Sequence, residues 1–273
     1  MSELVTISVI ANFPNPYGKN AKEKHSAMLS RTDGHWAPDV DDFRKIAVQS
    51  VAARTSELVQ VENLRSFLAS LAFGQSPTNK NKRRPKRSVS RVDLISHGSV
   101  DGVALAGVIE SAKTVLGLAD VWFDIAIPNQ ILDLKFFSKN SLQLIDKLLK
   151  EKETEEDPQT ITTFGATPKG VQVDIQDCLQ CFTKNAKIVC YACHVGQTQS
   201  KFDVSILQDM ADLFEIEVDG FTNMMQYTYK EGKGISLSLV DDSSIQHGKS
   251  TFDYRDLDGV TDVFRSFQPK IRK

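Results

Sequence analysis

Two short stretches of this chain end on side chains able to do nucleophilic chemistry. Arg91-Val92-Asp93-Leu94-Ile95-Ser96-His97-Gly98 and Lys187-Ile188-Val189-Cys190-Tyr191-Ala192-Cys193-His194-Val195-Gly196 each read as an apolar strand that stops on a reactive group and then reaches glycine. An imidazole can take the proton of a thiol, and the resulting thiolate attacks carbonyl carbons. In an open α/β sheet such groups gather at the carboxyl edge of the strands. If the two strands are parallel neighbours, His97 and Cys193 meet there. Taken singly, each residue has an ordinary reading, since a free cysteine is commonly a small buried hydrophobe. His194 is a rival base, expected to point off the opposite side of the strand end.

The cysteines allow two other chemistries. Cys178-x-x-Cys181 and Cys190-x-x-Cys193 form two pairs, as in zinc ribbons, but only eight residues separate them, against about 15–20 in such ribbons. The first pair falls on an expected helix and the second on a strand. Residues three apart in a strand face opposite ways, so converging four thiolates on one ion is strained. Cys190-Tyr191-Ala192-Cys193-His194 also fits the C-x-x-C-H haem-attachment pattern. That pattern belongs with export and a helical context, and neither is read here. No cofactor is expected.

The elements that must position these residues follow from periodicity and turn chemistry. Residues 4–11 form a strand apolar on both faces, hence central. Residues 12–38 read as a long loop. Asp41 and Asp42 can start a helix to about residue 53, with Phe43, Ile46, Ala47 and Val51 on one face. A short strand at 57–61 precedes a helix at 62–73 with Leu64, Phe67, Leu68 and Leu71 inward, stopped by Gly74. Residues 75–90 crowd Lys80, Lys82, Arg83, Arg84, Lys86 and Arg87 with Pro77 and Pro85, which predicts an exposed, mobile loop. The solvated loop is the preferred reading, with a processing site or a local polyanion contact as the functional alternatives. Further on come a strand edge at 103–106, helices at 107–117 and 141–150, and a charged linker at 151–157. A hairpin at 161–173 turns on Pro168-Lys169-Gly170. Then follow a helix at 174–182, the Cys193 strand, a helix at 203–214, a strand at 215–219 and a hairpin at 227–240. The tail from 241 reads as polar and then weakly helical. Strands alternating with helices predict an α/β fold, a mostly parallel sheet flanked by helices on both faces.

Composition narrows the partners. The 273 residues are 41% hydrophobic with a net charge of −2. That is enough for a substantial core and too near neutral for a bulk nucleic-acid or membrane binder. No apolar run approaches the roughly 20 residues that span a bilayer. Met1-Ser2-Glu3-Leu4 lacks a basic n-region, so no signal peptide is expected, the location is read as cytoplasmic, and the cysteines are read as reduced thiols.

Ser96-His97-Gly98 followed by Asp101-Gly102-Val103-Ala104-Leu105, and a strand ending Tyr191-Ala192-Cys193-His194-Val195-Gly196, resemble the caspase-like cysteine peptidases, the group of caspases, metacaspases and separase-related bacterial domains. Metacaspases carry a Cys-His-Ser-Gly run that Cys193-His194-Val195-Gly196 nearly repeats. The resemblance covers residues 90–225. It implies a single caspase-like domain over 1–273 and a cysteine endopeptidase acting on a protein or peptide through an acyl-enzyme. Cys193 would be the nucleophile, His97 the proton-transfer partner, and the backbone N–H groups of Gly98 and Cys193 the oxyanion hole. Two departures matter. The His97-to-Cys193 separation is long, so 120–170 is read as an insertion. Tyr191 stands where metacaspases have the acidic residue that helps bind a basic P1 side chain, so Arg or Lys at P1 is not supported. A catalytically inactive caspase-like module that binds a regulatory partner is the alternative, with a zinc-binding protein behind it. Nucleic acid is expected only locally, through 80–87.

Overall fold

The computed structural model describes residues 4–11, 57–74, 82–96, 98–105, 132–152, 162–166, 171–198, 205–222, 224–230, 234–240, 252–253 and 264–270. The expected loop at 12–38 and helices at 41–53 and 107–117 lie outside the described residues.

β-branched and aliphatic runs make the strands of one six-stranded sheet. The first is Val5–Ala11 (β1), whose Ile7, Val9 and Ala11 are fully buried. Glu57–Val61 (β2) and Val89–Ile95 (β3) pair with it in parallel on either side. Gly98–Ser99 (β4), Gly102–Ala104 (β5) and Phe136–Ser138 (β6) form a small antiparallel sheet just past the end of β3. Thr163–Gly165 (β7) and Gln172–Asp174 (β8) make the arms of the expected hairpin. Phe182–Tyr191 (β9) runs parallel to β3, and Glu217–Phe221 (β10) parallel to β9. Met224–Lys230 (β11), Gly234–Val240 (β12) and Phe252–Asp253 (β13) form a separate antiparallel sheet. Phe264–Phe267 (β14) closes the main sheet antiparallel to β10. The order is β14-β10-β9-β3-β1-β2, an α/β arrangement with a mostly parallel sheet. The tail therefore differs from the weakly helical expectation at 264–267: four residues carry no readable period, and pairing along β10 decides their state.

Helices Leu64–Ala72 (α1), Lys139–Lys152 (α2), Ile175–Leu179 (α3) and Ile206–Phe214 (α4) pack on one face of this sheet. A capping box starts α1: Ser66 N donates to Asn63 Oδ1 at 2.9 Å and Asn63 N to Ser66 Oγ at 3.1 Å, an arrangement that contributes about 1 kcal/mol. Leu64, Phe67, Leu68 and Leu71 face inward as the 3–4 spacing requires. The core joins Ile7, Val9, Val92, Leu94, Ile188 and Cys190 of the sheet to Phe67, Phe137 and Phe214, with Phe67 and Phe137 edge to face at 4.9 Å. Of the segment 120–170, read as an insertion, Leu132, Phe137, Leu142 and Ile145 belong to this same core. Helices on the second face, as expected from the sequence, are not found among the described residues.

Over 82–90 the basic stretch is exposed as expected at Lys82, Arg83, Pro85, Lys86 and Arg87 but buried at Arg84, Ser88 and Val89. Gly74 N donates to Lys82 O and Arg84 N to Ala72 O, tying the segment to the end of α1. The Arg84 guanidinium is buried, its side chain only 5% exposed, and donates to both carboxylate oxygens of Glu57, at 2.8 and 2.6 Å. Arg83 pairs with Asp177, and residues 89–90 already belong to β3. Like charges argue for solvation only while no acidic partner is at hand; β2 and α3 supply two. Removing one member of a buried pair strands the other, a loss of about 3–5 kcal/mol. Glu57→Gln should lower the denaturant midpoint by a corresponding amount, whereas the double replacement Glu57→Leu with Arg84→Met should lower it much less. Chemical unfolding of the two variants measures the difference.

Candidate functional site at the carboxyl edge of β3 and β9

β3 and β9 are hydrogen-bonded neighbours and run parallel, with Ile95 opposite Tyr191. Their carboxyl ends therefore lie at the same edge of the sheet. Ser96 N donates to Tyr191 O at 3.2 Å, continuing the ladder one step beyond β3. Position 97 lies outside the described residues. Both of its covalent neighbours are held against the Cys193 segment or its surroundings. The Ser96 hydroxyl donates to the carbonyl of Ala104. Gly98 pairs with Val103 across β4 and β5, and a Cβ placed on it would stand 2.4 Å from Val195 Cγ1, 2.7 Å from Ala192 Cβ and 2.8 Å from Cys193 O. Only glycine permits that approach.

β9 ends at Tyr191, two residues before the nucleophile candidate, and Cys193–Gly196 form a turn. Ala192 still belongs to the core, as Cys190 and Ile188 do. The period-two alternation thus leaves Tyr191 on the opposite face, and Cys193 stands in the turn beyond the strand. The Tyr191 face is polar. Arg91 Nε donates to Asp93 Oδ1 at 2.8 Å and Arg91 Nη2 to the Tyr191 hydroxyl at 3.3 Å. On the other side of Val189, Lys187 Nζ donates to Asp219 Oδ2 at 3.1 Å. Asp93 and Asp219 are both fully buried. Burial raises the Asp219 carboxyl above the usual range, against the opposing pull of Lys187. The Tyr191 ring meets Phe221 at 5.9 Å.

The turn is clamped from the β10 side. Gly196 N donates to Phe221 O at 2.8 Å. His194 Nδ1 lies 3.1 Å from Thr222 O, and Gln197 Nε2 donates to the same oxygen at 2.6 Å. Gln197 Nε2 also lies 3.2 Å from Nδ1, so the ring nitrogen is hydrogen-bonded in either tautomer, donating to the Thr222 carbonyl or accepting from the Gln197 amide. The His194 ring is thus committed to the β10 side, while β3 lies on the other side of β9. His194 adopts the left-handed region, φ 57°. Sequence reasoning placed it off the far side of the strand end but gave no partner for it. Gln197 and Thr222 were missed altogether, because neither lies in a motif.

The four cysteines do not converge. Cys181 O accepts from Val89 N at the amino end of β3, whereas Cys193 lies past its carboxyl end, about 20 Å away at 3.3 Å per strand residue. Cys178 and Cys181 Sγ each donate to a backbone carbonyl four residues back. Cys190 is fully buried on the core face. Among the described residues no cluster of three or more His, Cys, Asp or Glu can hold a metal ion, and no helix is long and apolar enough to cross a membrane.

Burial raises the Cys178 and Cys190 thiols well above their ordinary value. It lifts Cys181 to about 11, with the Arg84 and Arg83 guanidinium groups pulling the other way. A raised pKa keeps these thiols protonated at neutral pH, and the thiolate is the reactive form. Cys193 alone of the four is partly exposed. Titration of the native protein with an aromatic disulfide at pH 7.5, a pH of about one unit below a free thiol's pKa, should give one fast thiol. Peptide mass mapping should locate it at Cys193, with the other three reacting only on unfolding. Comparison of the chain with protein-family models, curated proteins and solved structures finds no match.

Proposed function

We propose that the chain is a caspase-like cysteine endopeptidase using Cys193 and His97. The observation that carries this reading is the approach of Gly98, the residue following His97, to the Cys193 carbonyl and to Ala192 and Val195. Two stretches distant in the chain are held in contact where parallel strands end, and the partly exposed thiol of the chain stands there.

In the proposed reaction His97 takes the Cys193 proton as Sγ attacks the carbonyl carbon of the scissile amide. The tetrahedral oxyanion is held by the backbone N–H groups of Gly98 and Cys193. On collapse, His97 returns the proton to the leaving amine and a thioester remains. Water, deprotonated by the same imidazole, then releases the acid and restores the thiol. Glycine at 98 lets both N–H groups face one oxyanion with no side chain between. Tyr191, two residues before the nucleophile, has its hydroxyl held by Arg91 and its ring against Phe221. It offers no negative charge to a P1 side chain, which argues against basic P1 residues.

The described part of the basic stretch, residues 82–88, lies away from the nucleophile of the same molecule. Residues 82–88 enter the sheet at the amino end of β3, whose seven residues span about 20 Å. Processing there requires a second molecule.

The test is covalent labelling with a panel of peptide electrophiles varied at P1, read by intact mass. Labelling should vanish in Cys193→Ala. In His97→Ala it should slow by about 10² or more, the usual contribution of a general base. Gly98→Ala must displace the Val195 side chain, Ala192 Cβ and the Cys193 carbonyl together, or residue 98 itself. It should slow labelling by at least about tenfold and lower stability by about 1–3 kcal/mol. Labelling of Cys193 that is indifferent to His97 sinks the peptidase reading in favour of a non-catalytic module.

A further inference from the structure

The turn that carries Cys193 is short, yet every residue after the cysteine is tied down. Val195 O accepts from Ser205 Oγ at 2.9 Å, and the same hydroxyl accepts from Leu207 N at 3.2 Å, capping α4. The Val195 side chain sits between two glycines: a Cβ on Gly98 would lie 2.4 Å from Cγ1 and one on Gly220 2.8 Å from Cγ2. Gly196 N is bonded to Phe221 O. One residue of the turn is in an unfavourable backbone conformation, His194 in the left-handed region. A non-glycine residue persists there only where its surroundings over-determine it. The surroundings are specific. His194 and Gln197 both reach the Thr222 carbonyl, and Gln197 N donates to His194 O at 3.0 Å, closing the turn.

We propose that His194 is a positioning residue: with Gln197 it latches the nucleophile turn to the Thr222 carbonyl at the end of β10, and this latch sets where the Cys193 sulfur stands. The proposal rests on the reading of Cys193 as nucleophile. It assigns the imidazole a structural hydrogen-bonding role and takes it out of the proton transfer. Nδ1 is engaged by Thr222 O and Gln197 Nε2 on the β10 side of β9, the side away from β3. The latch needs two things from position 194: tolerance of the left-handed region and a short side chain with a hydrogen-bonding atom where Nδ1 stands. Asparagine supplies both. Glycine supplies the first only, and alanine neither.

The experiment compares His194→Asn, His194→Gly, His194→Ala and Gln197→Ala in the full chain. Two readouts are taken on each. One is the second-order rate of Cys193 alkylation by iodoacetamide. The other is amide exchange of the peptide spanning 189–198, which contains Gly196 N and Gln197 N. Thermal melts and far-UV circular dichroism establish that each variant is folded, and Gln197→Ala tests the latch should alanine at 194 not fold. His194→Gly and Gln197→Ala should slow alkylation by about tenfold or more, as displaced catalytic groups do, and should speed exchange in the 189–198 peptide. His194→Asn should stay within about threefold of the parent in both. The proposal is overturned if His194→Asn alkylates as slowly as His194→Gly, since the imidazole would then act chemically. It is equally overturned if His194→Gly and Gln197→Ala match the parent in rate and exchange. His97→Ala run alongside separates the two claims. If it alkylates at the parent rate, the peptidase reading fails while the exchange data still decide whether His194 holds the turn.

Discussion

The pairing of β3 with β9 is the constraint on which the rest depends. Ile95 lies opposite Tyr191, and the hydrogen bond from Ser96 to Tyr191 extends the ladder by one residue. A strand has a period of two, so a slip of one residue would exchange its faces. Asp93 would be driven into the aliphatic core and Leu94 out of it. The core thus specifies the register, because Val92 and Leu94 must lie with Ile188 and Cys190. Register in turn fixes which residues of the two strands finish side by side. The edge chemistry is a consequence of hydrophobic packing on the opposite face, several residues earlier in each strand.

Parallel strands bring ends together but do not bring backbones into contact beyond the ladder. That second step is made by glycine. Gly98 admits Ala192 and Val195, Gly220 admits the other branch of Val195, and Gly196 approaches the carbonyls of Gly220 and Phe221. Three chain segments meet around one valine side chain, and none of the three could carry a Cβ at the contact without displacement. The packing enthalpy of a valine enclosed on both sides helps offset the left-handed conformation one residue earlier, which costs of order 1–2 kcal/mol. The hydrogen bonds to Phe221 and Thr222 add to this. A turn held by backbone carbonyls of β10 moves with the sheet, so its geometry is as rigid as the central strands.

Much of this scaffold was legible in the sequence. β2 coincides with the strand read at 57–61, the inward face of α1 with the residues read from the helical period, and α4 falls within the helix read at 203–214. Those elements bury one continuous stripe, and local pattern suffices for them. The legible part ended where the state of a residue depends on a distant partner. Arg84 reads as one charge in a basic run until Glu57 of β2, 27 residues away, is seen beside it. β14 has no period to read and exists through its pairing with β10. At the candidate site, the convergence of Gly98 and the Cys193 segment followed from the alternation of strands and helices. The end of β9 at Tyr191 and the turn conformation of His194 did not. Backbone sign at one residue leaves no compositional trace when the residue is histidine rather than glycine or asparagine.

The two faces of the sheet differ in what they bury. The core face is sealed by α1, α2 and α4 and holds Cys190 as a small apolar group. The other face holds the fully buried Asp93 and Asp219 against Arg91 and Lys187, whose side chains are 19% and 36% exposed. Buried ion pairs seldom stabilise a fold relative to apolar side chains of similar volume, since desolvation offsets most of their attraction. Among the described residues, Asp93 Oδ2 is left without a hydrogen-bond partner, a further cost. A sheet selected for stability alone would carry aliphatic residues at these positions, as its core face does. The charged rows lie directly behind Tyr191, and the Arg91 guanidinium joins Asp93 to the Tyr191 hydroxyl. They hold an aromatic ring in place two residues before Cys193, so the desolvation of these carboxylates is tied to the edge of the sheet at which that residue stands.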